Sequence, residues 1–127
     1  MYLAVLPVMA VLDLFWLGVV SKKVYAGYLG PLMRSDVVWP AAIVFYFAYA
    51  AGLVYFAVNP GIQANSWNLA LLNGALYGLM CYMTYDLTNW AVLKGWPWQI
   101  VPIDIIWGTV LSAIVAVVAF FITKAFI

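Results

Sequence analysis

Histidine is missing from this chain of 127 residues, and cysteine occurs once. The first absence removes His-ligated zinc, haem and copper centres and the histidine-based triads. The second rules out an internal disulfide, because Cys81 has no partner thiol, and it leaves the redox compartment unread. Charge is nearly as scarce: charged side chains make up 7% of the residues, against about 25% in a soluble domain. With a formal net charge of +1 and no basic run, nucleic acid is excluded as a partner. No lysine stands in the middle of an apolar run, which argues against a retinal-type Schiff base. The remainder is 69% hydrophobic. At about 20 residues per crossing, that length allows four membrane helices with short loops and no separate soluble domain.

The apolar runs fall at about residues 2–21, 39–58, 67–93 and 98–122. They predict a single all-α membrane domain over residues 1–127, a bundle of four transmembrane helices. The first run lacks a basic leader and a small-residue cleavage site, so it reads as a retained helix, with Pro7 near its start. A polar connection follows, containing Lys22, Lys23, Tyr25, Tyr28, Arg34 and Asp36, and it reads as a loop at the lipid surface. The second run opens on Trp39-Pro40 and is expected to stop at Asn59-Pro60-Gly61. Tyr46 and Tyr49 are its polar handles. The third carries Gly74-Ala75-Leu76-Tyr77-Gly78, whose GxxxG spacing suits close helix packing without naming the partner helix. The fourth follows Lys94-Gly95 and Trp96-Pro97-Trp98. In it Pro102 stands where it would kink the helix beside Asp104, and Gly108 and Ser112 form another small-residue face. Asp13-Leu14 with Trp39-Pro40, and Asp86-Leu87 with Trp96-Pro97, also fit two helical hairpins related by a parallel duplication.

Positive charge sets the expected orientation. Lys22, Lys23, Arg34 and Lys94 fall on the loops after the first and third runs, and only Lys124 falls on the opposite side. Basic loops stay in the cytoplasm, which predicts a multi-pass protein of the inner membrane with both termini outside the cytoplasm.

Three aspartates break the apolar pattern. Asp13, Asp86 and Asp104 each cost about 2.5–3.5 kcal/mol at the middle of a membrane helix. Asp13 lies nine residues before Lys22, Asp86 eight before Lys94 and Asp104 ten after it. On three different helices, all three therefore stand roughly 10–15 Å from the same boundary. Tyr46 reaches a similar depth on the fourth helix. Helical spacing adds Asn89 to the face of Asp86, Trp16 to that of Asp13 and Trp107 to that of Asp104. The two tryptophans lie too deep for an interfacial belt and are expected to wall a pocket or donate indole N–H bonds to the carboxylates. Carboxylates gathered at low dielectric repel. Either some are protonated or a cation sits among them. No dedicated cofactor is implied, although an all-oxygen set with Asn89 or Tyr46 allows a hard divalent cation. A ligand amine, sugar hydroxyls or a relayed proton would serve as well.

Asp13-Leu-Phe-Trp-Leu-Gly, Trp39-Pro-Ala-Ala, Thr84-Tyr-Asp-Leu-Thr-Asn and Asp104-Ile-Ile-Trp-Gly together resemble a bacterial family of small inner-membrane proteins. That family is known only as a domain of unknown function. The likeness covers nearly the whole chain. It implies a bacterial four-helix membrane protein and brings no activity with it.

Three functions compete on these residues. The first is a cytoplasm-facing pocket of Asp13, Asp86 and Asp104 that binds a cation, a proton or a small polar ligand, as in a small transporter. Four short helices are few for a translocation path, so a transporter would need to be a homodimer. The second is an enzyme acting on membrane lipid, with a carboxyl as acid or base and Arg34, Lys22 or Lys23 holding a phosphate. No motif singles out its reaction or its catalytic residue. The third is an accessory subunit whose polar cluster only specifies packing.

Overall fold

A computed structural model of the protein describes residues 1–16 and 39–126. Lys22, Lys23 and Arg34, the end of the first run and the polar connection lie outside the described residues. Within them the chain forms four helices and no strand. These are α1 (Tyr2–Phe15), α2 (Trp39–Ala64), α3 (Trp67–Val92) and α4 (Ile100–Ala125). The helices alternate in direction. α2 and α4 each touch all three of the other helices, and the most extensive contact is between α3 and α4.

The expected stop at Asn59-Pro60-Gly61 is instead the last turn and a half of α2. The helix passes through a wide turn at Val54–Val58, where the Asn59 N–H reaches back five residues to the Val54 carbonyl. Pro60 has no N–H to donate, and its ring would crowd the carbonyl four residues earlier. The widened turn accommodates both facts, and the helix continues. The real break is Asn65, in the left-handed conformation at φ 51° and ψ 45°. Its N–H and that of Ser66 satisfy the carbonyls of Ile62 and Gly61 at 3.1 and 2.9 Å. Ser66 then caps α3, its hydroxyl accepting from the Leu69 N–H at 3.2 Å. The connection between α2 and α3 is thus only Asn65-Ser66. The Lys124 ammonium, at the far end of α4, donates to the Asn65 side-chain carbonyl and lies 5.7 Å from the centre of the Phe120 ring.

Pro102 makes no kink. It falls in the first turn of α4, where no intrahelical N–H is needed, and the helix runs unbroken from Ile100 to Ala125. Gly95, at φ +79°, provides the sharp turn before it.

Small residues dominate the interior, as expected where lipid is as apolar as leucine and helices gain mainly from close contact. The α3–α4 seam shows this directly. A Cβ on Gly74 would lie 2.7 Å from the Ala116 Cβ and 2.8 Å from the Ser112 carbonyl oxygen; one on Gly78 would strike the Gly108 carbonyl and lie 2.7 Å from the Ser112 Cβ. The GxxxG of α3 therefore meets the Gly108, Ser112, Ala116 ridge of α4, two small faces that become one seam. Ser112 is fully buried and pairs with the Tyr49 hydroxyl of α2 at 2.5 Å. Tyr77 closes the third side and donates to the Tyr49 carbonyl oxygen at 3.3 Å.

The outer faces carry the large apolar side chains. Ile43, Val44, Phe45 and Phe47 of α2, Leu72, Leu76 and Met80 of α3, and Ile106 and Phe121 of α4 are all exposed. α2 and α4 are long and apolar enough to cross a membrane, yet only 28% and 39% of their most apolar windows are buried within the protein. The core helix of a soluble protein would be mostly covered. These helices turn isoleucine, valine and phenylalanine outward, the pattern that suits a lipid surrounding.

Candidate functional site

The polar residues gather toward one end of the molecule, where α1 and α3 end and α2 and α4 begin. Asp86 lies six residues before the last residue of α3 and Asp104 four residues after the first of α4. The antiparallel seam brings them face to face. Asp86 is completely buried, at 0% exposure. Neither of its carboxyl oxygens makes a hydrogen bond of ordinary geometry within the described residues. The group they face is the Asp104 carboxyl.

Asp104 also lines a cleft of about 410 Å³ with Phe45 and Tyr49 of α2 and Cys81, Tyr82 and Tyr85 of α3. Tyr49 is buried, whereas Phe45 and Tyr85 are more than half exposed and stand at the rim. The rings brace one another: Tyr49 meets Tyr82 edge-on with centroids 6.1 Å apart, Phe45 lies 5.7 Å from Tyr49, and Tyr85 meets Trp96 edge-on at 5.8 Å. Gly108 holds the Tyr82 ring against α4, since a Cβ there would run into the ring. The Tyr85 hydroxyl is within electrostatic reach of both Asp104 and Asp86.

Asp13 stands apart from this pair. It is half-buried on α1 and faces the Tyr46 hydroxyl of α2, an approach looser than an ordinary hydrogen bond. Equal depth put three carboxylates in one layer, but depth carries no information on azimuth, and the packing divides them into Asp86 with Asp104 and Asp13 with Tyr46. Among the described residues no three acidic or cysteine side chains come close enough to hold a metal ion. Trp16 and Trp107 meet each other, stacked with centroids 4.1 Å apart and planes 8° from parallel, across the α1–α4 contact. Asn89 is half-buried one turn beyond Asp86.

Of the cleft walls, sequence reasoning singles out Asp104 and, as a polar handle, Tyr49. Cys81 reads as packing from sequence, and Phe45 carries no signal of its own. Tyr82 and Tyr85 belong to the polar-aromatic stretch Tyr82–Trp90 around Asp86, and that density of tyrosine in an apolar helix is the clue that was there to use.

Outward apolar faces around a buried carboxyl pair define an all-helical membrane protein. More specifically, residues 1–121 match the family described as "Predicted membrane protein (DUF2177)", and the chain belongs to that family, whose function is unknown. No curated protein and no solved structure matches the chain.

Proposed function

We propose that this protein crosses the membrane four times and that its Asp86–Asp104 pair takes up a cation or a proton from the aromatic cleft, as the binding site of a small transporter. The observation that carries the reading is Asp86: fully buried, unpaired by ordinary hydrogen bonds, and facing a second carboxyl. Two carboxyl groups side by side out of water share a proton or are neutralised by a cation. Interhelical hydrogen bonds in membranes average about 0.6 kcal/mol, too little to offset two insertion costs of about 2.5–3.5 kcal/mol each. An occupant does so more readily than packing. The 26 residues of α3 extend about 39 Å, enough for a hydrocarbon core of about 30 Å despite the polar residues that lower its hydropathy.

The test is thermal unfolding of the detergent-purified protein against pH, monovalent and divalent cations, and amines. A ligand of the pair raises the melting temperature with concentration in the wild type, and the gain disappears in Asp86→Asn and Asp104→Asn. Asp13→Asn retains it, because Asp13 belongs to the other polar contact. If no cation or amine stabilises the wild type at any pH, the binding reading fails and an accessory subunit becomes the better description. The lipid-enzyme reading depends on Lys22, Lys23 and Arg34, and no geometry of the described residues favours it.

The orientation is proposed on the same terms, with both termini outside the cytoplasm and Lys94 inside. In a Cys81→Ser background, a membrane-impermeant maleimide added to intact cells should label Gln63→Cys and spare Leu93→Cys. The reverse pattern would invert the topology and put the cleft end outside.

A further inference from the structure

We infer that the cleft beside the carboxyl pair is built for an organic cation, a substituted ammonium group with apolar substituents, in preference to a metal ion. The inference rests on the carboxyl-pair reading above and narrows its ligand. A hard cation such as Mg²⁺ or Ca²⁺ takes about six to eight oxygen ligands in place of its water shell. Among the described residues the cleft wall does not offer such a set. Of the six described residues that line it, four are aromatic, Phe45, Tyr49, Tyr82 and Tyr85, and Asp104 is the one carboxyl among them. The Tyr49 hydroxyl is already committed to Ser112. What the wall presents is ring face and ring edge beside a negative charge.

That is the chemistry that recognises an alkylated ammonium. Its charge is spread over the carbons next to nitrogen, so it gives up little hydration on leaving water, and ring faces attract it through their quadrupoles. The size agrees: about 410 Å³ falls in the range of small-molecule pockets, far above what a bare ion fills. The rings are held in place by one another and by Gly108, so the cage needs little ordering when a ligand arrives. Asp104 lines the cavity, while Asp86 behind it is out of reach of solvent. The cation therefore pairs with Asp104, and Asp86 behind it keeps the proton that the pair shares.

The experiment titrates the detergent-purified full chain with choline and, separately, with its uncharged carbon isostere, in which tert-butyl replaces trimethylammonium. Sodium and magnesium chloride serve as controls, and tyrosine and tryptophan fluorescence and melting temperature as readouts. Choline should bind saturably and at least tenfold more tightly than the isostere. Tyr85→Leu and Phe45→Leu, at the exposed rim where folding is least at risk, should each weaken choline about three- to tenfold, and Tyr85→Phe should restore most of the affinity. Asp104→Asn should remove the preference for the charged ligand. Equal binding of choline and isostere would overturn the inference. Should sodium, magnesium or a proton still stabilise the protein in an Asp104-dependent way, the carboxyl-pair reading would survive that result. Should nothing depend on Asp104, both would fall together.

Discussion

Replacing Gly78 with leucine should abolish folding of the α3–α4 seam. Gly78 packs where a Cβ alone would strike the Gly108 carbonyl and lie within 2.7 Å of the Ser112 Cβ. The obstacle is backbone, which cannot rotate away as a side-chain tip can. Overpacking usually costs about 1–3 kcal/mol. Here the seam would have to open over several turns, because Gly74 is equally close to Ser112 and Ala116. The expected loss is therefore at the top of that range or beyond, seen as aggregation on detergent extraction or a melting transition lost altogether. The same opening would pull Asp86 from Asp104 and release Ser112 from Tyr49. Gly78→Ala is the graded version and should remain folded with a lowered melting temperature. A Gly78→Leu protein that is as stable as wild type would show that α3 and α4 do not pack through this face.

Asp86→Leu should act in the opposite sense. Leucine is close to aspartate in length, carries no charge, and removes two buried acceptors that have no ordinary hydrogen-bond partner. A buried unsatisfied polar group costs about 1–3 kcal/mol, so the variant should be more stable than wild type by about that amount. Cation-dependent stabilisation should vanish in the same protein. Gain of stability with loss of binding is the signature of a residue kept for its chemistry at the expense of the fold. If Asp86→Leu is instead destabilised, the carboxyl holds α3 to α4 through a bond worth more than its burial, and its role is structural. The measurement is a pair of melting curves, with and without the cation that stabilises wild type.

The elements were more legible than their arrangement. The small-residue spacings at Gly74 and Gly78 and at Gly108 and Ser112 were visible separately, because a spacing of four is a property of one helix. That the two faces meet each other depends on which side α3 presents to α4, and a single helix's sequence does not contain that choice. Aspartate depth was readable by counting from Lys22 and Lys94. The division into Asp86 with Asp104 and Asp13 with Tyr46 was not, since it is set by helix rotation. Asn59-Pro60-Gly61 misled for a local reason: the signal for a stop is a missing N–H and a flexible residue, and the Val54–Val58 turn absorbs both without ending α2. The true break rests on the backbone of Asn65, one residue whose left-handed conformation has only a weak signature in sequence. The Trp16–Trp107 stack joins residues 91 positions apart, and nothing local to either announces it.

That the most extensive contact is made by the last helix has a consequence for how the protein is made. Chains emerge from the ribosome N-terminus first, so in the four-span arrangement proposed above α1, α2 and α3 would enter the membrane before α4, which touches all three. Until α4 arrives, Gly74 and Gly78 face lipid, Asp86 has no second carboxyl opposite it, and Ser112 is not yet present to receive the Tyr49 hydroxyl. The Lys124–Asn65 bond forms last of all and ties the tail of the final helix to the α2–α3 turn. On that proposal the nascent chain would pass through a three-helix stage with the Asp86 carboxyl facing no second carboxyl in the bilayer. That is the stage at which an insertion chaperone would be needed and a quality-control protease would find its target.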